Sequence, residues 1–468
     1  MIELLILSKS CLRNLSLSNF APSMKQKKIL PLALVTLLIL LGYFLTSLAF
    51  PKNVNRYPFL VLLFLFEIYV WGLFKKKVFT YSRLVKIFTA AVYWLPMVML
   101  LVAVVVMVFI EGKQWIPWVR NLIFGVIFSF FVAKLFMAVV LGFTDFVRLI
   151  ENIIRRFRSK IPEHTKEKNT GISRRKFLEN TVLVVGGVVL SSMFLGMFKW
   201  VHEFNFKRIQ VQLFGLSSAF DDYCMVQISD MHLGSWSTTE HLKDAVEQIN
   251  ALQPDLVVFT GDLVNYTTDE AYRFREILAG ITAVDGVVAI LGNHDYGDYV
   301  NWDSPAEKKK NMEDLYGFYH QIGWKLLRNE HLILERDQEK LAIIGVENWS
   351  HNERFPRYGN IQKARKGIGK VSASILLSHD PSHWDAVVLK DHTDIQLTLS
   401  GHTHGFQFGI EIPGIKWSPA QYIYKQWAGL YRSEATQQQL YVNRGLGSIG
   451  YPGRIGILPE ITIFTLKS

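Results

Sequence analysis

Residues 223–232 read YCMVQISDMH, an apolar run that ends in an aspartate and, two residues later, a histidine. Residues 255–262 read DLVVFTGD, where a second apolar run ends in a glycine and an aspartate. Short apolar, β-branched runs bounded by turn residues are typical of buried β-strands. Each stretch therefore predicts a strand that delivers a chemically useful side chain to the loop at its end: Asp230 and His232 in the first, Asp262 in the second.

The same arrangement recurs three more times. Strands are predicted at Val287–Leu291, Ser374–Leu377 and Ile395–Ser400. The polar residues that follow them are Asn293, His294, Asp295, His379, His402 and His404. Helical stretches separate the strands, which predicts a layered α/β domain. Because such sheets place their sites at the carboxyl ends of the strands, we expect these side chains to meet at one edge.

The residue types at these strand ends suit metal ions. Carboxylate, imidazole and amide oxygen are ligands for Mn, Fe or Zn, and one carboxylate can bridge two cations about 3.5–4 Å apart. Taken singly, Asp262 is more often a turn residue, His379 a hydrogen-bonded histidine and Asn293 a left-handed turn residue. Five strand ends that all carry such residues predict a pair of divalent metal ions, with the choice among the three metals open.

The ordered series of motifs resembles the calcineurin-like metallophosphoesterases. Segments similar to the bacterial membrane-associated branch of that family are SHDP at 378–381, SGHTHG at 400–405, NRGLG at 443–447 and PEIT at 459–462. The resemblance covers about residues 220–468 and implies an α-β-β-α sandwich, with two mixed sheets flanked by helices. One departure is Phe406, where that branch commonly has a glycine. This difference concerns substrate access rather than metal binding.

The resemblance also implies residue roles. Asp230, His232 and His404 correspond to ligands of one metal. Asn293, His379 and His402 correspond to ligands of the other, and Asp262 to the bridge between them. His294 corresponds to the residue that protonates the leaving oxygen or steadies the phosphate, with Asp295 orienting it. The family resemblance implies that a metal-bridging hydroxide attacks the phosphorus.

The first half of the chain differs from the second in its amino-acid composition. Half of all residues are hydrophobic, and five apolar runs are each about long enough to cross a bilayer. The runs are Ile29–Phe50, Tyr57–Phe74, Ile87–Ile110, Leu122–Phe143 and Thr181–Phe198. We predict an all-α transmembrane bundle of four helices in residues 1–150, a basic cytoplasmic linker at 151–180, a fifth transmembrane helix at 181–199 and the catalytic domain at 200–468. Buried helices of a soluble core are the alternative.

Charge separates the two halves of the chain. Residues 1–199 contain 26 basic and 8 acidic residues, against 25 and 32 in residues 200–468, although the whole chain is +11. The acidic catalytic half therefore gives no support to a nucleic-acid partner. Basic residues concentrate at the N-terminus, in the second–third loop and in the linker. The positive-inside rule then predicts a cytoplasmic N-terminus and a catalytic domain on the outer face of a bacterial cytoplasmic membrane.

Three questions stay open at this stage. Arg174-Arg175 before the fifth run resembles a twin-arginine export signal, and a plain basic stop explains it equally well. A lipid or a lipid-linked envelope intermediate is the predicted phosphoester substrate, because only about 30 residues separate Phe198 from Asp230. The other two functions considered are a non-catalytic sensor or scaffold that keeps a phosphoesterase-like domain, and a transporter with an accessory outer domain.

Overall fold

The first half of the chain forms five long helices. The computed structural model describes residues 26–49, 54–55, 57–110, 115–157 and 174–468. The helices are α1 (Gln26–Ala49), α2 (Tyr57–Val78), α3 (Arg83–Phe109), α4 (Pro117–Phe157) and α5 (Arg174–Phe198). Each of the five predicted apolar runs falls on one of them, which confirms the helical apolar region.

Among the described residues, three stretches of helix are long and apolar enough to cross a membrane: Arg83–Met107, Pro117–Ile154 and Asn180–His202. In α1 and α2 the apolar stretches are shorter, Val35–Leu48 and Tyr57–Gly72. Helix α4 continues well past the predicted run, and α5 begins at Arg174, inside the predicted linker. The rest of that linker, residues 158–173, lies outside the described residues. Five crossings therefore stay a prediction.

The chain divides into two compact units. One contains residues 1–90 and 104–109, and the other contains residues 91–103 and 110–468. Helices α4 and α5 thus belong to the same compact unit as the α/β domain. Within this unit Lys134 of α4 donates a hydrogen bond to the carbonyl of Tyr93, 2.8 Å away, and lies over its ring.

Two six-stranded sheets form the body of the second unit. The first sheet has the order β1-β14-β2-β3-β4-β5 and the second β12-β13-β9-β8-β7-β6. The first sheet contains β1 (Asn205–Gln212), β2 (Cys224–Ile228), β3 (Leu256–Phe259), β4 (Val287–Ala289), β5 (Lys325–Leu326) and β14 (Glu460–Lys467). The second sheet contains β6 (Glu330–Arg336), β7 (Glu339–Gly345), β8 (Ala373–Leu377), β9 (Leu397–Ser400), β12 (Gly429–Arg432) and β13 (Gln439–Val442). A separate antiparallel hairpin joins β10 (Ile410–Ile412) to β11 (Ile415–Trp417).

Helices cover the outer faces of both sheets. They are α6 (Glu240–Ala251), α7 (Arg275–Ala279), α8 (Pro305–Gln321), α9 (Ile361–Ala364) and α10 (Leu389–Asp391). Ser304 caps α8 by accepting the amide hydrogen of Glu307, and Pro305 occupies its first turn, both typical of helix starts.

Three apolar clusters give the layers. One lies between the sheets and includes Met225 and Val258 from the first and Ile343 and Ile375 from the second. The next packs α6 and α8 against the outside of the first sheet, and the third packs α9 and Trp384 against the outside of the second. The predicted α-β-β-α sandwich is confirmed. Because both faces of β2 and β3 are buried, these strands are apolar apart from Gln227 of β2.

Candidate metal centre

The predicted site residues meet where the two sheets present their carboxyl ends. Strands β2, β3 and β4 are parallel neighbours in the first sheet, and β8 and β9 are parallel neighbours in the second. Hydrogen bonds tie the two edges together. The side chain of Gln227 donates to the Ser400 carbonyl at 3.0 Å, and the backbone N–H of His402 donates to Asp230 Oδ1 at 3.0 Å. Loops from both sheets are thereby held around one centre.

Asp230, His232 and His404 form the first cluster. Their ligand atoms lie within 4.8 Å of one another, and all three residues are buried. His232 Nε2 and His404 Nε2 are 3.0 Å apart, and His404 Nε2 is 3.4 Å from Asp230 Oδ1. Two imidazole nitrogens and a carboxylate oxygen that converge in this way form a donor set suited to one transition metal ion.

Asp262, His379 and His402 form the second cluster, whose ligand atoms also lie within 4.8 Å of one another. His379 Nε2 is 3.2 Å from Asp262 Oδ2, and His402 Nδ1 is 3.3 Å from His379 Nε2. The same Asp262 oxygen is 3.6 Å from His232 Nε2, in the first cluster. Asp262 therefore stands between the two clusters, the position that a bridging carboxylate requires.

Asn293 supplies a further donor. Its amide nitrogen donates to the hydroxyl of Tyr299 at 2.8 Å, which fixes the orientation of the side chain. Its buried Oδ1 has no hydrogen-bond partner among the described residues. A buried amide oxygen without a partner is costly unless something else accepts its lone pairs. The donor set at this edge therefore fits a divalent cation.

His294 and Asp295 lie beside the clusters but not in the predicted relation. The Asp295 carboxylate accepts the backbone N–H groups of Asp262 at 2.9 Å, Leu263 at 2.8 Å and Gly292 at 2.9 Å. The ring of His294 instead places Nδ1 2.8 Å from the Asn265 carbonyl. The expectation that Asp295 orients His294 is therefore wrong. Asp295 shapes the loop that carries Asp262, because its two oxygens are occupied by that backbone.

Burial controls the protonation of the site. It raises the pKa of Asp230 to about 7, with nearby Asp262 adding to the shift and His379 opposing it. Burial lowers the pKa of His232 to about 3. Burial also disfavours the charged form of His379, but Asp262 and Asp230 outweigh it and raise the pKa of that histidine to about 10. Strongly shifted groups that converge in one place are typical of functional sites.

Close approach explains two of the glycines. A Cβ at Gly292 would lie 2.2 Å from Asp262 Oδ1, and one at Gly401 would lie 2.2 Å from Asp230 Oδ2. Any side chain at either position would displace a carboxylate of the centre.

Several contacts around the centre were missing from the sequence analysis. The hydroxyl of Tyr424 lies 2.8 Å from His402 Nε2, and Asp380 Oδ2 is 3.4 Å from the same nitrogen. On the other side the fully buried Arg454 places Nη2 3.3 Å from His404 Nδ1 and 2.9 Å from the Arg444 carbonyl. Asp380 was visible in the SHDP motif. Tyr424 and Arg454 lie in irregular segments whose spacing gave no signal.

Comparison with known families identifies the class of protein. Residues 225–406 match the model of the calcineurin-like phosphoesterases. Residues 52–200 match the model described as the transmembrane domain of a probable calcineurin-like phosphoesterase. The chain belongs to the calcineurin-like metallophosphoesterases, a class of phosphoester hydrolases, and carries a transmembrane domain.

Individual relatives agree with this assignment. An uncharacterised metallophosphoesterase of Bacillus subtilis is 31% identical over 64% of this chain and 98% of its own length. A transmembrane protein with a metallophosphoesterase domain from Danio rerio is 30% identical over 55% of this chain and 56% of its own. A Chlamydia muridarum protein named UDP-2,3-diacylglucosamine pyrophosphatase is 27% identical over 48% of this chain and 77% of its own. Among solved structures, a dimetal phosphatase from Danio rerio aligns with a TM-score of 0.28 at 13% identity, over 48% of this chain and 88% of its own.

Proposed function

We propose that the chain hydrolyses the phosphoester of a lipid-linked substrate at the membrane surface with the help of two divalent metal ions. The observation that carries the proposal is that the loop after His232 rests directly on helix α4. The side chain of Arg120 donates to the Gly234 carbonyl and that of Asn121 to the Ser235 carbonyl, both at 2.7 Å. These carbonyls follow His232 by two and three residues. A phosphoryl group bound there lies near the ends of two apolar helices.

A cavity beside this contact suits the apolar part of such a substrate. It has a volume of about 300 Å³ and lies between α4, α5 and the loops that carry the site. Its apolar lining includes Trp118, Leu122, Met197, Phe198, Trp236 and Leu446. Its size is at the lower end of ordinary ligand pockets, which fits one end of an acyl chain rather than a whole lipid.

The two clusters divide the metal ligands between them. We assign Asp230, His232 and His404 to one ion, Asn293, His379 and His402 to the other, and Asp262 to both. When bound, two divalent cations lower the pKa of a water and neutralise charge on the phosphoryl group. Mn, Fe and Zn all accept this mixture of imidazole, carboxylate and amide ligands.

His294 is the proton-transfer residue of the proposal. Its Nδ1 faces a carbonyl oxygen, which accepts hydrogen bonds only, so Nδ1 carries the hydrogen in the neutral ring. Nε2 is then the nitrogen that exchanges a proton with the leaving oxygen of the substrate. The ring is held by stacking on Tyr299, with centroids 4.4 Å apart. His294 is only half-buried, which leaves room for a substrate.

One relative supports the substrate class. The Chlamydia muridarum protein is named for a diacylated sugar nucleotide and its pyrophosphate bond. Acyl chains and phosphoryl groups therefore occur together in the named substrate of a related protein. The acidic character of residues 200–468 gives no electrostatic attraction to an anionic membrane, so the apolar helices keep the site at the bilayer.

The test compares lipid phosphates in mixed micelles with their water-soluble head groups, using the purified full-length protein. We expect a higher kcat/KM for the lipids. Leu122→Trp, which fills the cavity, should raise KM for the lipid and leave the head group unaffected. Val284→Trp, on an exposed position away from the cavity, is the matched control. Equal kcat/KM for both kinds of substrate would contradict the proposal and leave a general phosphoesterase.

The proposal also places the catalytic domain on the outer face of the cytoplasmic membrane. Its support is the alternation of basic loops along the first half of the chain. A reporter that is active only after export, fused after Ser468, should be active. If the fusion is active only as a cytoplasmic reporter, the orientation is reversed. Replacing Arg174 and Arg175 with lysine should block export only if the twin-arginine route is used.

A further inference from the structure

The β10–β11 hairpin carries its apolar side chains on the outside. Ile410, Ile412 and Ile415 are 48%, 55% and 52% exposed. The register pairs Ile410 with Trp417 and Ile412 with Ile415. Directly paired residues share a face of a hairpin, so these four side chains form one apolar surface. A contiguous exposed apolar surface on a folded protein usually contacts another apolar phase or molecule.

The opposite face of the hairpin is charged, and its charged groups contact the rest of the protein: Glu411 is half-buried, and Lys416 is exposed along its length but turns its ammonium group inward. Glu411 pairs with Arg444 at 2.9 Å and with Lys207 at 3.4 Å. Lys416 donates to the Ala428 carbonyl and lies 4.9 Å from the centre of the Trp427 ring. The usual arrangement, with polar side chains outward, is therefore reversed. These internal contacts fix the hairpin so that its isoleucines cannot turn inward.

The hairpin is attached next to the point where α5 ends. The N–H of Gly409 donates to the Ile455 carbonyl at 2.9 Å. The preceding residue, Arg454, donates its own N–H to the Gly196 carbonyl at 3.2 Å, two residues before α5 ends. The second attachment is the Glu411–Lys207 pair, because Lys207 lies near the start of β1, the first strand after α5. Two independent contacts thus place the hairpin beside a helix that is apolar enough to cross a membrane.

Aromatic residues border the apolar surface. The indole N–H of Trp417 donates to the hydroxyl of Tyr422 at 3.4 Å, and Tyr422 is itself exposed. Phe408, at the base of the hairpin, is also exposed. Tryptophan and tyrosine are enriched at the membrane–water interface, where an amphipathic ring meets both phases.

We propose that the β10–β11 hairpin inserts its isoleucine face into the lipid leaflet from which α5 emerges. The bilayer is the occupant because the hairpin is attached beside the end of a helix that is apolar enough to cross a membrane, and because the charged groups of its other face already have partners in the protein. His404 precedes the hairpin by six residues, so this contact holds a candidate metal ligand at a fixed depth relative to the lipid. The inference does not depend on which substrate the site hydrolyses.

The experiment places an environment-sensitive fluorophore on single cysteines in the full chain, with Cys11 and Cys224 replaced by serine. The protein is reconstituted in phosphatidylcholine vesicles, with and without lipids brominated in the acyl chains. Ile412→Cys and Ile415→Cys are the test positions. Phe214→Cys is the control because it is 86% exposed and lies beyond the far end of β1. Strand β1 is eight residues long, so position 214 lies about 25 Å from the start of that strand.

We expect blue-shifted emission at both hairpin positions and its loss in brominated lipid, with neither effect at position 214. Thermal unfolding in detergent checks that each variant is folded. Emission at the hairpin that matches the control in both vesicle types would overturn the proposal. A blue shift that resists brominated lipid and rises with the protein-to-lipid ratio would also overturn it, since it would indicate a second copy or another protein on this face.

Discussion

At the scale of single residues, the candidate metal ligands share an uncommon backbone conformation. Asp230, His232, Asp262, His402 and His404 have φ between 44° and 71°, the left-handed region. Residues with a Cβ avoid this region because it costs about 1–2 kcal/mol each. Such strain persists only where the surrounding structure enforces it, and it clusters at functional sites. Five of the seven candidate ligands share it, out of thirteen described non-glycine residues with positive φ, so the conformation is concentrated at this edge.

The hydrogen bond between His402 Nε2 and the hydroxyl of Tyr424 gives the first prediction. His402 points Nδ1 into the second cluster, so its Nε2 is the nitrogen that a surrounding group must orient. Tyr424→Phe keeps the ring and removes only the hydroxyl. We expect metal affinity to fall about 10-fold, as for other residues that orient a ligand. Metal content after dialysis measures it. Tyr422→Phe, on an exposed neighbour, should retain full metal content, and a similar loss in both variants would refute a specific role for Tyr424.

Substitutions of His294 and of Asp262 should have different effects on turnover and on metal binding. His294→Ala removes the proposed proton donor, so kcat should fall by roughly 10²–10⁴-fold with both metals retained. Asp262→Ala removes the one carboxylate that faces both clusters, so metal content and activity should fall together. The paired measurement is kcat with metal stoichiometry by elemental analysis. Retained activity with a normal metal count in Asp262→Ala would show that the bridge is assigned to the wrong residue.

The buried side chain of Glu270 should make the stability of the folded protein depend on pH. Burial raises its pKa to about 7, against the opposing backbone N–H groups of Asn265 and Tyr266. The folded protein therefore keeps this proton at pH values where the unfolded chain has lost it. Stability falls as pH rises from about 4.5 to about 7, by on the order of 3 kcal/mol.

Glu270→Gln should remove this dependence, because a glutamine does not titrate but can still accept the same N–H groups. The measurement is the thermal midpoint in detergent between pH 4.5 and pH 7.5, with Glu276→Gln as a surface control. Parallel curves for the wild type and Glu270→Gln would show that Glu270 does not titrate in this range.

The sequence allowed the ligand positions to be predicted because each followed an apolar strand. It did not allow the groups that hold them to be predicted. Asp295 was assigned to His294 because the two are adjacent, but the chain turns so that its carboxylate faces the backbone of the Asp262 loop. Arg454 reaches His404 from 50 residues away. Such contacts depend on how loops pack in three dimensions, and no local pattern records them.

At the scale of elements, prediction succeeded for buried strands and failed where tertiary contacts override local pattern. Strands β2, β3, β8 and β9 lie within one or two residues of their predicted ranges. The helical stretch expected between β3 and β4 is mostly a 3-10 helix, Thr268–Phe274, with the short α7 after it. The hairpin was absent from the prediction, although residues 410–417, IEIPGIKW, alternate apolar and polar side chains about a Pro-Gly turn. The alternation indicates strands but does not show that their apolar face is the exposed one.

Helix α5 should influence the metal centre through Gly196, which contacts the loop of Arg454. A Cβ at Gly196 would lie 2.7 Å from the carbonyl oxygen of Arg454. The backbone N–H of Arg454 also donates a hydrogen bond to the carbonyl of Gly196. Gly196→Val should push the loop away, at a cost of about 1–3 kcal/mol, and lower activity because Arg454 touches His404. Gly187→Val is the matched control, since a Cβ there meets no described atom within 4 Å. Unfolding temperature and kcat measure the effect. Equal behaviour of the two variants would show that α5 is only a tether.

At the scale of the whole molecule, the compact units do not divide where the composition changes. The basic, apolar half ends near residue 199, and the acidic half begins there. The compact unit that contains the metal site nevertheless includes α4 and α5. Hydropathy along the sequence shows which segments are apolar, whereas the boundaries of the compact units depend on which residues contact one another. Polar contacts such as Arg120 to Gly234 are invisible to a composition profile.

The last prediction tests whether these two helices belong to the enzyme. A fragment of residues 115–468 keeps α4, α5 and their contacts with the site loops. A fragment of residues 205–468 loses the donors to Gly234 and Ser235 and the acceptor at Gly196. It also exposes Tyr451, whose hydroxyl donates to the Met193 carbonyl and whose ring packs on Phe128.

We therefore expect the longer fragment, in detergent, to match the full chain in metal content and kcat on a soluble phosphoester. The shorter fragment should unfold at a lower temperature and lose metal more readily, because the loops of Asp230 and His404 lose their support. The chosen substrate needs no membrane, so a difference reports on the site itself rather than on delivery of lipid. If the shorter fragment equals the longer one in stability, metal content and kcat, then α4 and α5 serve only to hold the enzyme at the membrane.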